Sequence, residues 1–356
     1  MPHLVVDISG HGFGHAGQVI PVVRDLLAAR PGLRVTLRTA VPSDVLARHV
    51  GRALPVAPPP ADVGMIMTGP MDVDAAASAA AYADRHADFP AVVAREAERL
   101  RALAPDLLLA DVPYSSIAAA ARTGVPAVAL CSLNWLDAYR AYCADRPEAG
   151  RIMAEIRDAY AAAELFLQPR PHTPMAELSN TRSIPPICRV GTDRRSELRA
   201  RLGVSDATAL VAAGFGGLPG TAVAALPRMD GVVWLQATPP GERGDIVDLA
   251  ATGLDFADLA ASVDLVVTKS GYGTLCETLA AGTRLLMVSR PDWPEDSAMR
   301  AWLGRHGTAA AIPRADATPD GLARGVGDLL ARPRGTPVPP DGRAEAVAVL
   351  RRLMPG

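Results

Sequence analysis

The chain has 356 residues, 49% of them hydrophobic, 21% charged and 4% aromatic. This globular composition is long enough for two domains and excludes wholesale disorder. Lys and Arg total 36 against 38 Asp and Glu, a net charge of −2, so no basic excess exists to follow a nucleic-acid backbone. The four cysteines (Cys131, Cys143, Cys188, Cys276) form no C-x-x-C pair, which argues against a zinc knuckle or a disulfide framework. The opening Met-Pro-His-Leu-Val-Val-Asp reads as strand rather than leader, and no apolar run reaches about 18 residues. A cytoplasmic protein without a membrane span is expected.

In chain order, residues 3–9 read as a strand, the glycine-rich 10–17 as a loop, and 19–30 as a helix stopped by Pro31-Gly32. Residues 34–39 read as a second strand, and Ser43 as the N-cap of a short helix. Residues 55–70 read as loop, and the Ala-rich 72–104 as helix broken near Pro90. Residues 106–111 form a buried strand, 115–122 a helix, 126–131 a strand, 149–163 a helix and 165–168 a strand. The proline-rich 169–195 is the best linker candidate. Alternation then restarts, with strands at 209–213, 232–236, 264–268, 284–289 and 308–312. Helices at 256–261, 274–281, 297–305 and 320–331 lie among and after them, glycine loops at 214–220 and 270–273, and a last helix at 343–354. Two successive βαβα series predict an α/β fold of two doubly wound, Rossmann-like domains, residues 1–175 and 185–335. Ligands of such sheets lie beyond the carboxyl ends of the strands, so the expected site is a cleft across which the domains face each other.

The first loop contains Gly12-x-Gly14-x-x-Gly17, the dinucleotide fingerprint. The second strand lacks the acid that would meet a ribose, although Arg38 could serve a 2′-phosphate. Two histidines, His11 and His15, share this loop. Imidazole suits proton transfer near neutral pH; His15, at the helix start, reads as functional, and His11 as a cap or a carbonyl partner. Asp111 ends its strand at the same sheet edge, where a carboxylate can hold an imidazole in one tautomer. An N-cap for the helix near Ser115 is the alternative. No G-x-S-x-G elbow occurs. In the second half, Gly214, Gly216 and Gly217 follow a strand as an anion nest. Ser270-Gly-Tyr-Gly-Thr274 repeats that arrangement at a helix start, just after Lys269, the only lysine of the chain. Glu277 follows, where a carboxylate can accept bonds from ribose hydroxyls. Two such loops and the acid favour a nucleoside diphosphate.

The segment Asp264-Leu-Val-Val-Thr-Lys-Ser-Gly-Tyr-Gly-Thr-Leu-Cys-Glu277 resembles the donor-site motif of GT-B nucleotide-sugar glycosyltransferases. Over roughly residues 3–310 the chain is similar to the glycosyltransferase-like region of plant L-arabinokinases. His11-Gly-Phe-Gly-His15, Ala110-Asp-Val-Pro113, Phe215-Gly-Gly217 and Lys269-Ser-Gly-Tyr-Gly-Thr274 carry that likeness. The resemblance implies metal-independent, inverting transfer of a hexosyl or pentosyl group from a nucleoside-diphosphate sugar, UDP foremost, to a small-molecule hydroxyl or amine.

By the same resemblance His15 is the general base and Asp111 its partner. Gly214, Gly216, Gly217, Lys269, Ser270, Gly271, Gly273 and Thr274 meet the donor diphosphate, Glu277 the ribose and Phe256 the base. Asp292, Glu295 and Asp296 meet the donor sugar. The acceptor is expected against the first domain, beside His11 and Gly14: Tyr114, Asn134, Trp135 and Asp137 follow strand ends and either line that pocket or pack ordinarily under a loop, with residues 60–90 as wall or lid. The helix at 340–356 is expected to pack back on the first domain. The implied partners are a nucleotide sugar as co-substrate and a small acceptor, with no other cofactor, no metal and no nucleic acid; oligomeric state is not implied. Two departures stand out: Gln18 replaces an arginine of the relatives, and Asp292-Trp-Pro-Glu-Asp296 replaces an Asp-Gln or Gln-Gln pair. Rival readings are a nucleotide-sugar 2-epimerase or hydrolase of the same fold, a non-catalytic nucleotide-sugar binder, and an NAD(P) reductase.

Overall fold

The computed structural model describes residues 1–11, 13–215, 225–237 and 243–355. Gly12 of the fingerprint and the predicted donor contacts Gly216 and Gly217 lie outside the described residues. The chain divides into two compact units, Met1–Thr68 with Val73–Ile187 and Asp341–Gly356, and Gly69–Asp72 with Cys188–Pro340.

The first unit runs β1 (His3–Asp7), α1 (Phe13–Ala29), β2 (Arg34–Arg38), α2 (Ser43–Val50), β3 (Val56–Ala57), α3 (Ala75–Arg85) and α4 (Phe89–Leu103). It continues through β4 (Leu107–Ala110), α5 (Tyr114–Thr123), β5 (Ala127–Leu130), α6 (Trp135–Cys143), α7 (Ala149–Ala161), β6 (Leu165–Pro169) and β7 (Thr181–Ile184). The strands form a seven-stranded sheet of order β3-β2-β1-β4-β5-β6-β7, with every described pairing parallel. Its inner strands are continuous apolar runs because helices cover both faces. On one face Leu4, Val6, Leu107, Leu109, Val128 and Leu130 alternate into a core with Val19, Val22, Val23 and Leu26 of α1. The break near Pro90 is a new helix start: Asp88 accepts from the Ala91 amide at 3.0 Å, and Pro90 sits in the first turn, where its missing N–H costs nothing.

The second unit contains α8 (Arg195–Leu202), β8 (Ala209–Gly214), β9 (Val232–Gln236), β10 (Ile246–Asp248), α9 (Phe256–Ser262) and β11 (Leu265–Lys269). Then come α10 (Tyr272–Ala280), β12 (Arg284–Val288), α11 (Asp296–Leu303), β13 (Ala309–Ile312) and α12 (Pro319–Leu330). Its six strands are ordered β10-β9-β8-β11-β12-β13, again with every described pairing parallel. Four residues from the front half of the chain belong here. Lys269 Nζ donates to the Pro70 carbonyl at 2.5 Å, and Arg314 pairs with Asp72 at 2.5 and 3.1 Å. Both sheets follow the Rossmann strand order, so the architecture is two doubly wound α/β units.

After the second unit the chain returns to the first. In α13 (Gly342–Leu353), Ala346, Val349 and Leu350 enter the core that α1 lines. Gly342 starts this helix so close to the preceding chain that a Cβ there would lie 2.1 Å from the Pro185 carbonyl oxygen.

Several elements differ from the sequence reading. Part of the 169–195 linker is β7, paired with β6 from Phe166↔Thr181 onward, and the division between units falls after Ile187. The expected linker thus contains both an edge strand and the boundary itself: its earlier prolines punctuate the loop between β6 and β7, and Pro185-Pro186 lie just before the division. The helix of the first glycine loop begins at Phe13, so Gly14, His15 and Gly17 are already helical; the low helix propensity of glycine hides this turn in the sequence. Ser43 is the first residue of α2 rather than its cap; Pro42 holds the cap position, and no side chain bonds there. The helices α6 and α8 and the short strands β3 and β10 add to the predicted elements.

Leu350 is fully buried. Leu350→Ala is expected to destabilise the first unit by about 3 kcal/mol through the lost burial and the cavity left behind. Urea unfolding checks this, and a change within error would place α13 outside that core.

Candidate active site

Two side chains meet at the carboxyl edge of the first sheet. The helix α1 follows β1, and His15 lies in its first turn. Asp111 is the first residue past β4, which pairs directly with β1, and its amide extends that ladder to the Asp7 carbonyl at 2.9 Å. Side chains on a helix tilt toward its N-terminus, and here that brings His15 Nδ1 to 2.7 Å from Asp111 Oδ2. Asp111 is fully buried and His15 is 8% exposed. Asp111 does not cap α5, whose cap position is Pro113 with no side-chain bond. With Nδ1–H donated to the carboxylate, Nε2 is the nitrogen that can take up a proton, and the carboxylate stabilises the resulting imidazolium.

The surroundings add a residue the sequence reading did not name. Asp62 accepts from Ser9 Oγ at 2.5 Å and from the Trp135 indole Nε1 at 3.0 Å. Burial raises its pKa, partly countered by the Ser9 bond and the nearby His15, while Asp111 pushes it further up. The Trp135 ring lies 5.2 Å from that of His11, edge-on, and 5.7 Å from that of His15. Gly64 permits the 60–64 loop to close over this group, since a Cβ there would lie 2.8 Å from His11 Nδ1 and 2.9 Å from Trp135. His11, His15, Asp111 and Trp135 are thus brought together. Gly14 is exposed at the same helix start, with nothing within 4 Å of a Cβ built on it.

Other predicted residues are turned inward. Arg38 is buried between Glu96 and Asp7, bonded to the first and 3.5 Å from the second, so its guanidinium is committed within the core rather than offered to a 2′-phosphate. The Tyr114 hydroxyl bonds His86 Nε2 at 2.8 Å inside an aromatic cluster. Asn134 is fully buried and caps α6, its Oδ1 accepting from the Asp137 amide at 2.7 Å.

In the second unit, the ends of β8, β11 and β12 lie side by side. Gly214 ends β8, and a Cβ there would contact the Phe256 ring at 3.5 Å. Lys269 ends β11, Gly271 holds the cap position of α10 without a side-chain bond, and Gly273 and Thr274 lie in the first turn. The Ser270 hydroxyl is buried with no partner among the described residues. A Cβ on Gly273 would meet nothing within 4 Å, so packing within the protein does not call for glycine there. Burial, with Arg290 adding to it, pushes the Lys269 amine down to about 8. Burial pushes Glu277 up to about 7, against the pull of Arg189. Asp292 is exposed. Asp296 is fully buried and accepts from Ser289 Oγ, the Arg290 amide and Arg300 Nε at 2.7, 2.6 and 2.9 Å. Glu295 accepts from the Trp293 indole at 2.9 Å. The structure therefore engages both acids in holding the 289–296 loop.

Because Glu277 binds its proton more tightly folded than unfolded, its contribution to stability is complete below its ordinary value near 4.5 and is lost as pH rises through about 7. Glu277→Gln is expected to flatten the fall in the urea midpoint of the second unit between pH 5 and 8. Identical pH slopes for variant and parent would remove this account.

No family model matches the chain. It is 28% identical over 312 residues to the L-arabinokinase of Arabidopsis thaliana, a match covering 83% of this chain and 29% of that protein. The chain thus spans under a third of that relative. The solved structure of the glycotransferase of kitacinnamycin superposes with a TM-score of 0.64 at 17% identity, over 99% of this chain and 94% of that one. A Listeria monocytogenes structure described as a UDP-N-acetylglucosamine 2-epimerase gives 0.60 at 13%, over 98% and 95%. With two doubly wound sheets and this likeness over nearly its whole length, the chain has the GT-B glycosyltransferase fold.

Proposed function

We propose that the chain is a glycosyltransferase, moving a hexosyl or pentosyl group with inversion from a nucleoside-diphosphate sugar, UDP foremost, to a small-molecule hydroxyl or amine. The observation that carries this reading is the 2.7 Å contact between His15 Nδ1 and buried Asp111 at the carboxyl edge of the first sheet. His15 Nε2 removes the acceptor's proton as the acceptor attacks the anomeric carbon, and Asp111 holds the ring and stabilises its charge. His11 and Trp135 border the acceptor.

The second unit supplies the donor side. The uncapped N-terminus of α10 offers backbone amides to the diphosphate, and Lys269 with Arg290 adds positive charge beside it. Two neighbouring cations favour a bound anion, and together these groups meet the charge that develops on the leaving diphosphate, the metal-independent form of the reaction. Glu277 accepts from the ribose and Phe256 borders the base. An epimerase needs carboxylates around the sugar for acid–base work; Glu295 and Asp296 are engaged in their own loop, which favours transfer.

The test has two parts. UDP, dTDP and GDP, with their sugars, are screened for a rise in melting temperature by mass action, and the best donor is incubated with an acceptor panel while nucleoside diphosphate release is followed. Asp111→Asn and His15→Ala are expected to keep the donor's thermal shift and lose about 10²–10⁴-fold in transfer. Undiminished transfer by His15→Ala would end the assignment of the base, and no shift with any diphosphate would end the donor reading.

A further inference from the structure

The His15–Asp111 pair has a third neighbour with a different chemistry. Cys131, the first residue past β5, places Sγ 3.9 Å from His15 Nδ1. An imidazole nitrogen, a carboxylate oxygen and a thiol sulfur thus lie within 4.8 Å of one another. All three side chains come from adjoining strand ends or the first helical turn, so a rigid scaffold holds them.

We infer that these three side chains form a site for a thiophilic divalent cation of the zinc class, and that filling it switches the dyad off. Tetrahedral zinc bonds of about 2.0–2.3 Å place nitrogen, oxygen and sulfur ligands roughly 3.3–3.6 Å apart. From the 2.7 Å and 3.9 Å separations present here, that geometry needs His15 and Asp111 to part by about half an ångström and the thiol to close on His15 Nδ1 by less, with the thiol and the carboxylate also drawn together from within 4.8 Å. Three protein ligands with mixed N, O and S donors leave one position open, the pattern of an accessible rather than a purely structural centre. His15 is the most exposed of the three, so entry is from its side.

The proton balance gives the consequence. The thiol proton leaves to solvent as the thiolate binds. The imidazole proton leaves Nδ1, which becomes the ligand, and Nε2 gains one. Nε2 is the atom that has to accept the acceptor's proton, so the metal-bound imidazole is no longer a base. This effect on transfer rests on the reading of His15 given above; the binding of the metal does not.

The experiment titrates metal-free protein with CdCl2 and follows the ultraviolet charge-transfer absorption of the cadmium–thiolate bond. The parent is compared with Cys131→Ser, Cys131→Ala and His15→Ala, and with Cys188→Ser as a control in the other unit; melting curves establish that each variant is folded. The expected result is a saturating component in the parent and in Cys188→Ser. That component is absent from both Cys131 variants and needs at least tenfold more cadmium in His15→Ala. Folded Cys131 variants that titrate like the parent would overturn the site. In the transfer assay, ZnCl2 is expected to inhibit the parent at a concentration at least tenfold below that needed for Cys131→Ser; equal inhibition would overturn the switch while leaving the site to the cadmium result. A protein that binds cadmium through Cys131 but transfers no sugar would refute the functional reading alone.

Discussion

Two strand pairings govern where chemistry can sit in this molecule: β1 beside β4, and β8 beside β11. Each sheet reverses its strand order at that pairing, and in doubly wound folds the crevice beyond such a reversal is where ligands bind. The inner strands of each sheet are covered on both faces, so a polar side chain there has to find a partner in the core. Register does the rest. Asp7 lies opposite Ala110, and the Asp111 amide bonds the Asp7 carbonyl. Because strand side chains alternate, a one-residue slip would turn the Asp111 carboxylate to the opposite face.

The first edge is crowded with acids, and that crowding has a direction. Asp7 is raised to about 6 and Asp62 is raised too, in both cases chiefly by burial with a smaller push from neighbouring carboxylates. Arg38 opposes this at Asp7, as His15 does at Asp62. The buried Arg38–Glu96 pair beneath is weak evidence for net stability, since desolvation offsets most of the attraction. Its clear effect is to fix a charge opposite Asp7.

The sequence made the strands legible because a parallel sheet buried on both faces writes itself as short apolar runs. Asp111 was legible for the same reason, since a polar residue stands out where such a run ends, and His15 because an imidazole is conspicuous in a glycine-rich loop at a helix start. Asp62 was not. It follows Pro58-Pro59-Pro60 in a stretch without period, and only the fold carries it to Ser9 and Trp135. Tyr114, Asn134 and Arg38 show the converse limit. Each sits at or just past a strand end or helix start, yet residue type and position do not encode which way a side chain turns. The strand β7 escaped notice because a polar edge strand lacks the apolar run that marks an inner one.

The 292–296 segment shows how a motif position can act at one remove. Asp296 is fully buried, and its bonds to Ser289 and the Arg290 amide fix the course of the chain after β12. Glu295 holds the Trp293 indole, and the Arg290 guanidinium lies 4.3 Å over that ring. The charge of Arg290 is felt at Lys269, where it lowers the amine's pKa together with burial. The two acids thereby place a cation rather than present their own oxygens. A carboxylate pointed at a diphosphate would repel it, whereas one that orders an arginine beside the α10 N-terminus adds to its attraction. Where the relatives carry an Asp-Gln pair, this chain therefore has two carboxylates engaged with the Ser289 hydroxyl, the Arg290 amide and the Trp293 indole.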